Sequence, residues 1–311
     1  MKHAILTHGG AASPHRLSDG CTAAEGRARA VLERGGDALA AALEATAALE
    51  DDPRFNAGTG SNLRLDGQTI EMDAAVMSSD GRFGAVSCIE RVKNPVLVAA
   101  RVMETPHLLL VGGGATAFAR RLGFADHDPT TEGARQKYAR VVAELRGQGD
   151  GDYAIDAAPW RKIRLDTMWN FAGEPPAVVA EPSLAASRAD GCDTVGAVVR
   201  DNHGRFAATA STGGTLYMLR GRVGDSPLMG AGVYAGPHGA VAATGVGEEI
   251  VRRFLAKTVY DWLAEDVPPA RAAARAVALF PDVVDVGILV VGRTGHAVAS
   301  NRNMANAVGL G

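Results

Sequence analysis

The chain is poor in cysteine, in aromatic side chains and in any excess of charge, and each shortage removes a class of protein. Three cysteines occur in 311 residues. They are Cys21, Cys88 and Cys192, and their wide spacing fits neither a disulfide framework nor a zinc module. Lys and Arg number 32 against 35 Asp and Glu, a formal net charge of −3. That balance supplies no basic field for nucleic acid or anionic lipid. No apolar run nears the ~18–20 residues that cross a bilayer. The opening stretch, Met1 to Gly10, lacks a long apolar segment with a cleavage site, so no signal peptide is expected and a cytoplasmic location is. Aromatics are 5% of the chain, whereas glycines number 38 and hydrophobic residues reach 47%. A chain of this length buries a substantial core, and its small residues let strands and helices approach closely.

Short apolar runs alternate with helical patterns. Ala4–Thr7 reads as an opening strand that leaves through His8-Gly9-Gly10. Thr22 to about Ala48 is helical, broken at Gly35-Gly36, with Asp37 placed to cap the second half. Leu49 to Gly60 is a loop by its Pro and Gly content. Ile70–Met77 and Gly84–Ile89 read as strands around Asp80-Gly81, and Asn94-Pro95 as a helix start. Leu108–Val111 reads as a strand before a short helix at Ala115–Leu122. From about 146 to 193 the periodicity fades into a long linker, in which Trp160 and Trp169 mark parts able to pack. Beyond it come a hairpin of Thr194–Val199 with Phe206–Ala210, a strand at Val241–Ala243 and helices at Glu248–Leu263 and Pro268–Leu279. A closing hairpin joins Val286–Val291 to Ala297–Ser300. Hairpins at each end with helices between them predict an α+β sandwich rather than a doubly wound parallel sheet.

Three local patterns carry little. Val111-Gly112-Gly113-Gly114 lacks the Gly-Lys-Ser/Thr ending of a phosphate loop and the full dinucleotide spacing. Asp126-His127-Asp128 has no helical His pair behind it and reads as a solvated loop. Cys192 has no local histidine to activate it.

The informative stretch begins where the linker ends on Asp193 and Thr194 opens a strand, Thr194-Val195-Gly196-Ala197-Val198-Val199. Alone, Thr194 is a β-branched strand starter. Its company changes that reading. Ser211-Thr212-Gly213-Gly214 closes the paired strand and brings a second threonine across the hairpin. Gly221-Arg222-Val223-Gly224-Asp225-Ser226 supplies a cation and an anion in a glycine-lined loop, and Thr244-Gly245-Val246-Gly247-Glu248 adds a hydroxyl and flexible amides at a helix start.

With these blocks the sequence resembles the N-terminal-nucleophile asparaginase family, which comprises plant-type L-asparaginases, isoaspartyl peptidases, glycosylasparaginases and threonine aspartases. The opening His-Gly-Gly, Leu49–Gly60, Glu71–Met77, Lys93–Pro95 and the four blocks after residue 193 follow in order over almost the whole chain. The resemblance implies a four-layer αββα sandwich, one domain over 1–311 that cuts itself between Asp193 and Thr194 into a 1–193 α piece and a 194–311 β piece. Two such pairs would associate as a dimer. It implies that Thr194 is the nucleophile and its freed α-amine the base, the substrate being L-asparagine or a β-aspartyl dipeptide. Thr212 would support the nucleophile, Thr244 and Gly245 would form the oxyanion hole, and Arg222, Asp225 and Gly247 would hold the substrate's α-carboxylate and α-ammonium. Asn56 would help hold the new terminus. No cofactor is expected in catalysis, but a structural sodium ion is, wrapped by backbone carbonyls of Leu49, Glu50, Asp52, Phe55, Ala57 and Thr59.

The chain departs from the family's pattern in two places. Asp193 stands where isoaspartyl peptidases carry Gly, and Thr215-Leu216-Tyr217-Met218-Leu219-Arg220 replaces a usually polar stretch. Two alternatives stay open at this point: a glycosylasparaginase-like or threonine-aspartase-like hydrolase of the same fold, and a scaffold dimer that never matures.

Overall fold

A computed structural model describes residues 2–151, 154–179 and 194–311. In chain order the elements begin with β1 (Ala4–Ala11), α1 (Ser18–Glu33), α2 (Ala38–Asp51), β2 (Met72–Ser78), β3 (Phe83–Ile89), α3 (Pro95–Val102), β4 (Leu109–Val111) and α4 (Gly112–Arg121). Next are α5 (Glu132–Leu145), α6 (Ala154–Arg161), α7 (Leu165–Met168), β5 (Val195–Arg200), β6 (Phe206–Thr212), β7 (Val233–Gly236) and β8 (Gly239–Gly245). The chain ends with α8 (Gly247–Arg253), α9 (Leu255–Ala264), α10 (Pro269–Val277), β9 (Val286–Gly292), β10 (His296–Ser300) and β11 (Met304–Leu310).

Seven strands form one sheet in the order β11-β1-β5-β6-β2-β3-β4, and four form a second, β10-β9-β8-β7. All neighbours are antiparallel except β3 and β4. Strand alternation assigns each side chain to a layer. On β5, Val195, Ala197 and Val199 pack against α1 and α2, whereas Val198 enters the layer between the sheets. On β8, Ala240 and Ala242 face that same layer while Val241 and Ala243 pack under α9 and α10. The result is helix, sheet, sheet, helix, the expected αββα order. Its central layer is filled largely by alanine and valine, which explains a closely packed core with few aromatics.

Several sequence expectations need correction. The opening strand runs on through His8-Gly9-Gly10 to Ala11, and its register against β11 shifts between His8 and Ala11. The glycines therefore make a bulge rather than a turn. The helix expected over Glu248–Leu263 breaks at Phe254, which is left-handed. There the amides of Ala256 and Lys257 donate to the carbonyls of Ala231 and Gly230 at 3.1 and 2.9 Å, so tertiary partners replace helical ones. The linker expected over 146–193 contains α6 and α7. Phe171, Leu165 and Ala157 join Leu65, Val141, Leu145 and Tyr217 in a cluster of their own, flanked by Trp160 and Trp169. Aromatic burial, not periodic patterning, orders this stretch. The remainder of that linker, 180–193, lies outside the described residues.

Candidate active site

Periodicity turns the three hydroxyls toward one layer. Ala208 and Ala210 of β6 face the layer between the sheets, so Thr212 does too; Val198 of β5 sets the same parity for Thr194, and Ala240 and Ala242 set it for Thr244 on the facing sheet. Val195 pairs with Ser211, which sets Thr194 beside Thr212 at the end of the hairpin. All three threonines are buried, at 3%, 2% and 0% exposure.

Each supporting hydroxyl is already oriented. Thr212 Oγ1 accepts from the Gly214 amide at 3.0 Å, and Thr244 Oγ1 accepts from the Ala11 amide at 3.1 Å. Both oxygens are thus engaged as acceptors, which leaves the hydroxyl proton for a second partner. Thr194 Oγ1 lies 3.4 Å from Ser226 Oγ, longer than an ordinary hydroxyl hydrogen bond. Gly245 has φ +135, and a Cβ there would collide with the Asp285 carbonyl oxygen. Glycine is required at that position.

Arg222 and Asp225 close around Gly247. The site of a Cβ on Gly247 lies 2.9 Å from Arg222 Nη2 and 3.0 Å from Asp225 Oδ1. Burial works against the Arg222 charge, but Glu248, Asp225 and Asp73 outweigh it and keep its pKa above the ordinary value. Glu248 holds the guanidinium in a two-point pair, Nε to Oε1 at 3.0 Å and Nη2 to Oε2 at 2.9 Å. This is the geometry in which Arg donates to a planar carboxylate.

Asn56 braces the turn after Thr212. Its carbonyl accepts from Gly213 N at 2.9 Å, its Nδ2 donates to Gly214 O at 2.5 Å and its Oδ1 accepts from Asn62 N at 2.9 Å. Arg64, which no sequence pattern marks, is buried and donates to Gly213 O at 2.7 Å and to Glu71 O at 2.6 Å. Glu71 Oε2 in turn accepts from Gly221 N at 2.8 Å. A buried Arg–Glu pair therefore ties the Thr212 turn to the Arg222 loop. Ser226 was likewise unforeseen; its only signal was adjacency to Asp225.

The Leu49–Thr59 loop is drawn together by backbone contacts. The Glu50 carbonyl accepts from Thr59 N at 2.9 Å and the Asp52 carbonyl from Phe55 N at 3.1 Å. The position of a Cβ on Gly58 is crowded by the Glu50 and Lys93 carbonyl oxygens at 2.6 and 2.7 Å. Backbone carbonyls are the donor type that a hard cation takes, and of the six expected here those of Glu50 and Asp52 also accept from backbone amides within the loop. No cluster of three or more metal-ligating side chains occurs among the described residues. Asp126 pairs with Arg91 and Arg120 as a solvated loop residue. Asp193 and Cys192 lie outside the described residues.

His8, on β1, is fully buried, accepts from Gly10 N at Nδ1 (3.2 Å) and has its pKa lowered to about 3 by burial. Below the ordinary histidine value of 6.5 the unfolded chain takes up a proton that the folded chain refuses. His8 therefore contributes full stability above that pH, and the contribution is lost as pH falls toward 3. Between pH 6.5 and 5 the wild type should lose about 1.6 kcal/mol more than His8→Gln in denaturant unfolding. Parallel pH profiles for the two proteins would refute the assignment.

Comparison with known proteins gives a consistent result. The family model described as asparaginase matches residues 1–310. A plant-type L-asparaginase of Pyrococcus furiosus is 38% identical over 305 residues, covering 94% of this chain and 91% of that protein. An isoaspartyl peptidase/L-asparaginase of Danio rerio is 36% identical, covering 95% and 87%. One of Homo sapiens is 33% identical, covering 96% and 90%.

Proposed function

The chain belongs to the asparaginase family, and from that premise we propose that it is a self-processing threonine hydrolase. It would cut its own chain between Asp193 and Thr194, then cleave β-aspartyl peptide bonds and the side-chain amide of L-asparagine. The observation that carries the reading is the placing of three buried threonines on strand faces turned to the inter-sheet layer, with an Arg–Asp pair closing on Gly247 nearby in the chain.

Once freed, the α-amine of Thr194 titrates at about 7.7–8.0 and so accepts the Oγ1 proton near neutral pH. Thr212 donates to Oγ1 and polarises it. The oxygen attacks the β-carbonyl; the Thr244 hydroxyl and the Gly245 amide receive the developing oxyanion, where one such donor is typically worth about 2.7–4 kcal/mol. Collapse of the tetrahedral intermediate breaks the C–N bond, and the amine leaves with the proton held by the α-amine. Water, deprotonated by the same amine, then hydrolyses the β-aspartyl ester and releases aspartate. Arg222 binds the α-carboxylate and Asp225 the α-ammonium, so the scissile bond is β rather than α. A sodium ion on the Leu49, Glu50, Asp52, Phe55, Ala57 and Thr59 carbonyls would stiffen the loop that carries Asn56.

The rest of the reading is a dimer of cleaved pairs in the cytoplasm. No helix among the described residues is long and apolar enough to cross a membrane. Intact mass after incubation at neutral pH should resolve into two fragments, the smaller beginning Thr194-Val195-Gly196, with aspartate then released from asparagine and from a β-aspartyl dipeptide. A chain that stays whole and releases none overturns the proposal.

A further inference from the structure

The segment between α7 and Val179 lies on the 1–193 side of the proposed cut, yet it is fastened to the loop that carries Arg222. Asn170 meets the backbone of Arg220 twice: its Nδ2 donates to Arg220 O at 2.8 Å, and its Oδ1 accepts from Arg220 N at 3.1 Å. A primary amide matched to both groups of one residue fixes the position and direction of the chain there. Arg222 is two residues further on.

The segment that presents Asn170 is itself held in place. Trp169 and Phe171 pack with ring centroids 4.8 Å apart, and Trp169 Nε1 donates to Gly173 O at 2.9 Å. Phe171 joins the cluster that buries Tyr217 against Leu65 and Leu145. Further along, Val179 N donates to Leu145 O at 3.1 Å. The apolar departure at Leu216-Tyr217-Met218-Leu219 thus has a structural counterpart: Tyr217, Leu216 and Leu219 pack against this segment. Beyond Arg220, Gly221 N donates to the buried Glu71, which is paired with Arg64. The Arg222 loop is therefore held from two sides, by Glu71 within the core and by Asn170 from outside.

We propose that Asn170 is a positioning residue for the substrate-head cation, acting through its paired hydrogen bonds to the Arg220 backbone. The inference rests on the reading of Arg222 as the α-carboxylate clamp and adds to that reading a part of the chain expected to be only a linker. Asn170 touches no reacting atom, so its removal misplaces Arg222 without altering the threonine hydroxyls. The substrate head is common to asparagine and β-aspartyl dipeptides, so both should respond equally.

The test uses matured full-length protein, checked for the Thr194 terminus by mass, with steady-state kinetics on L-asparagine and one β-aspartyl dipeptide. Asn170→Ala is expected to raise KM about fivefold for both substrates while kcat stays within about twofold. Asn170→Asp keeps the acceptor for Arg220 N and loses the donor to Arg220 O, and should fall between wild type and alanine. An unchanged KM in Asn170→Ala overturns the inference while leaving the hydrolase reading intact. A KM rise confined to the dipeptide also overturns it, by placing the segment against the leaving group. Inactive wild-type protein overturns the hydrolase reading and, with it, the inference.

Discussion

Thr194→Ala protein is expected to remain one chain of 311 residues and to hydrolyse neither asparagine nor β-aspartyl dipeptides, a loss of at least ~10⁴-fold. Two functions fall on one oxygen: it makes the cut that creates the catalytic amine, and it then forms the acyl bond. The fold should survive the change. Thr194 Oγ1 lies 3.4 Å from Ser226 Oγ, too long for a strong bond, and β5 is held by ladders to β1 and β6. Denaturant midpoints should therefore differ little between the variant and an uncut wild-type sample, which separates lost chemistry from lost structure. Thr194→Ser keeps the hydroxyl but loses the methyl that restricts χ1, so it should mature and turn over more slowly. Two fragments from the alanine variant would sink the assignment.

Arg222→Ala should lower kcat/KM by about 10²–10³, mostly through KM, because a two-point charge-assisted contact with the substrate carboxylate is removed. Self-cleavage involves no free α-carboxylate and should proceed at the wild-type rate. The partner left behind, Glu248, is 51% exposed on its side chain, so water takes over its solvation and stability changes little. The same pair has a kinetic consequence. Glu248 holds the guanidinium at both Nε and Nη2, so an incoming carboxylate must displace or share it. Initial rates over a substrate series, with mass spectrometry of the same samples, test both halves. An unchanged KM beside normal maturation would remove Arg222 from the substrate site.

The strands beside the candidate threonines were more legible in the sequence than the scaffolding around them. The strands read at Thr194–Val199, Phe206–Ala210 and Val241–Ala243 are present as β5, β6 and β8; Thr194 stands just before β5, and β6 and β8 run on beyond the pattern to take in Thr212 and Thr244. Asp37 caps α2 as its position suggested, accepting from Ala40 N. What escaped were features set by distant parts of the chain. Arg64 is polar, isolated in a loop and wholly buried, and nothing local announces the carbonyls of Glu71 and Gly213 that it satisfies. β7 and β11 are short or terminal, and their strand character comes from pairing with β8 and β1. The signal for α5 was present, since Thr131 caps it by accepting from Ala134 N, but weak apolar periodicity hid the helix that followed. The break at Phe254 depends on carbonyls at Gly230 and Ala231, which no window of sequence contains.

The strand order β11-β1-β5-β6-β2-β3-β4 threads the two halves of the chain through each other. A cut before Thr194 leaves β1, β2, β3 and β4 on one piece and β5, β6 and β11 on the other. Every path that separates the pieces must then unzip the β11–β1, β1–β5 and β6–β2 ladders. Maturation therefore changes the kinetic order of refolding. The uncut chain regains this sheet at a rate independent of dilution, whereas the cut enzyme, once denatured, has to find its complement in solution and recovers more slowly as protein concentration falls. Nicking commits the molecule to the structure it had at that moment, and the enzyme's operational lifetime becomes a matter of how slowly it comes apart.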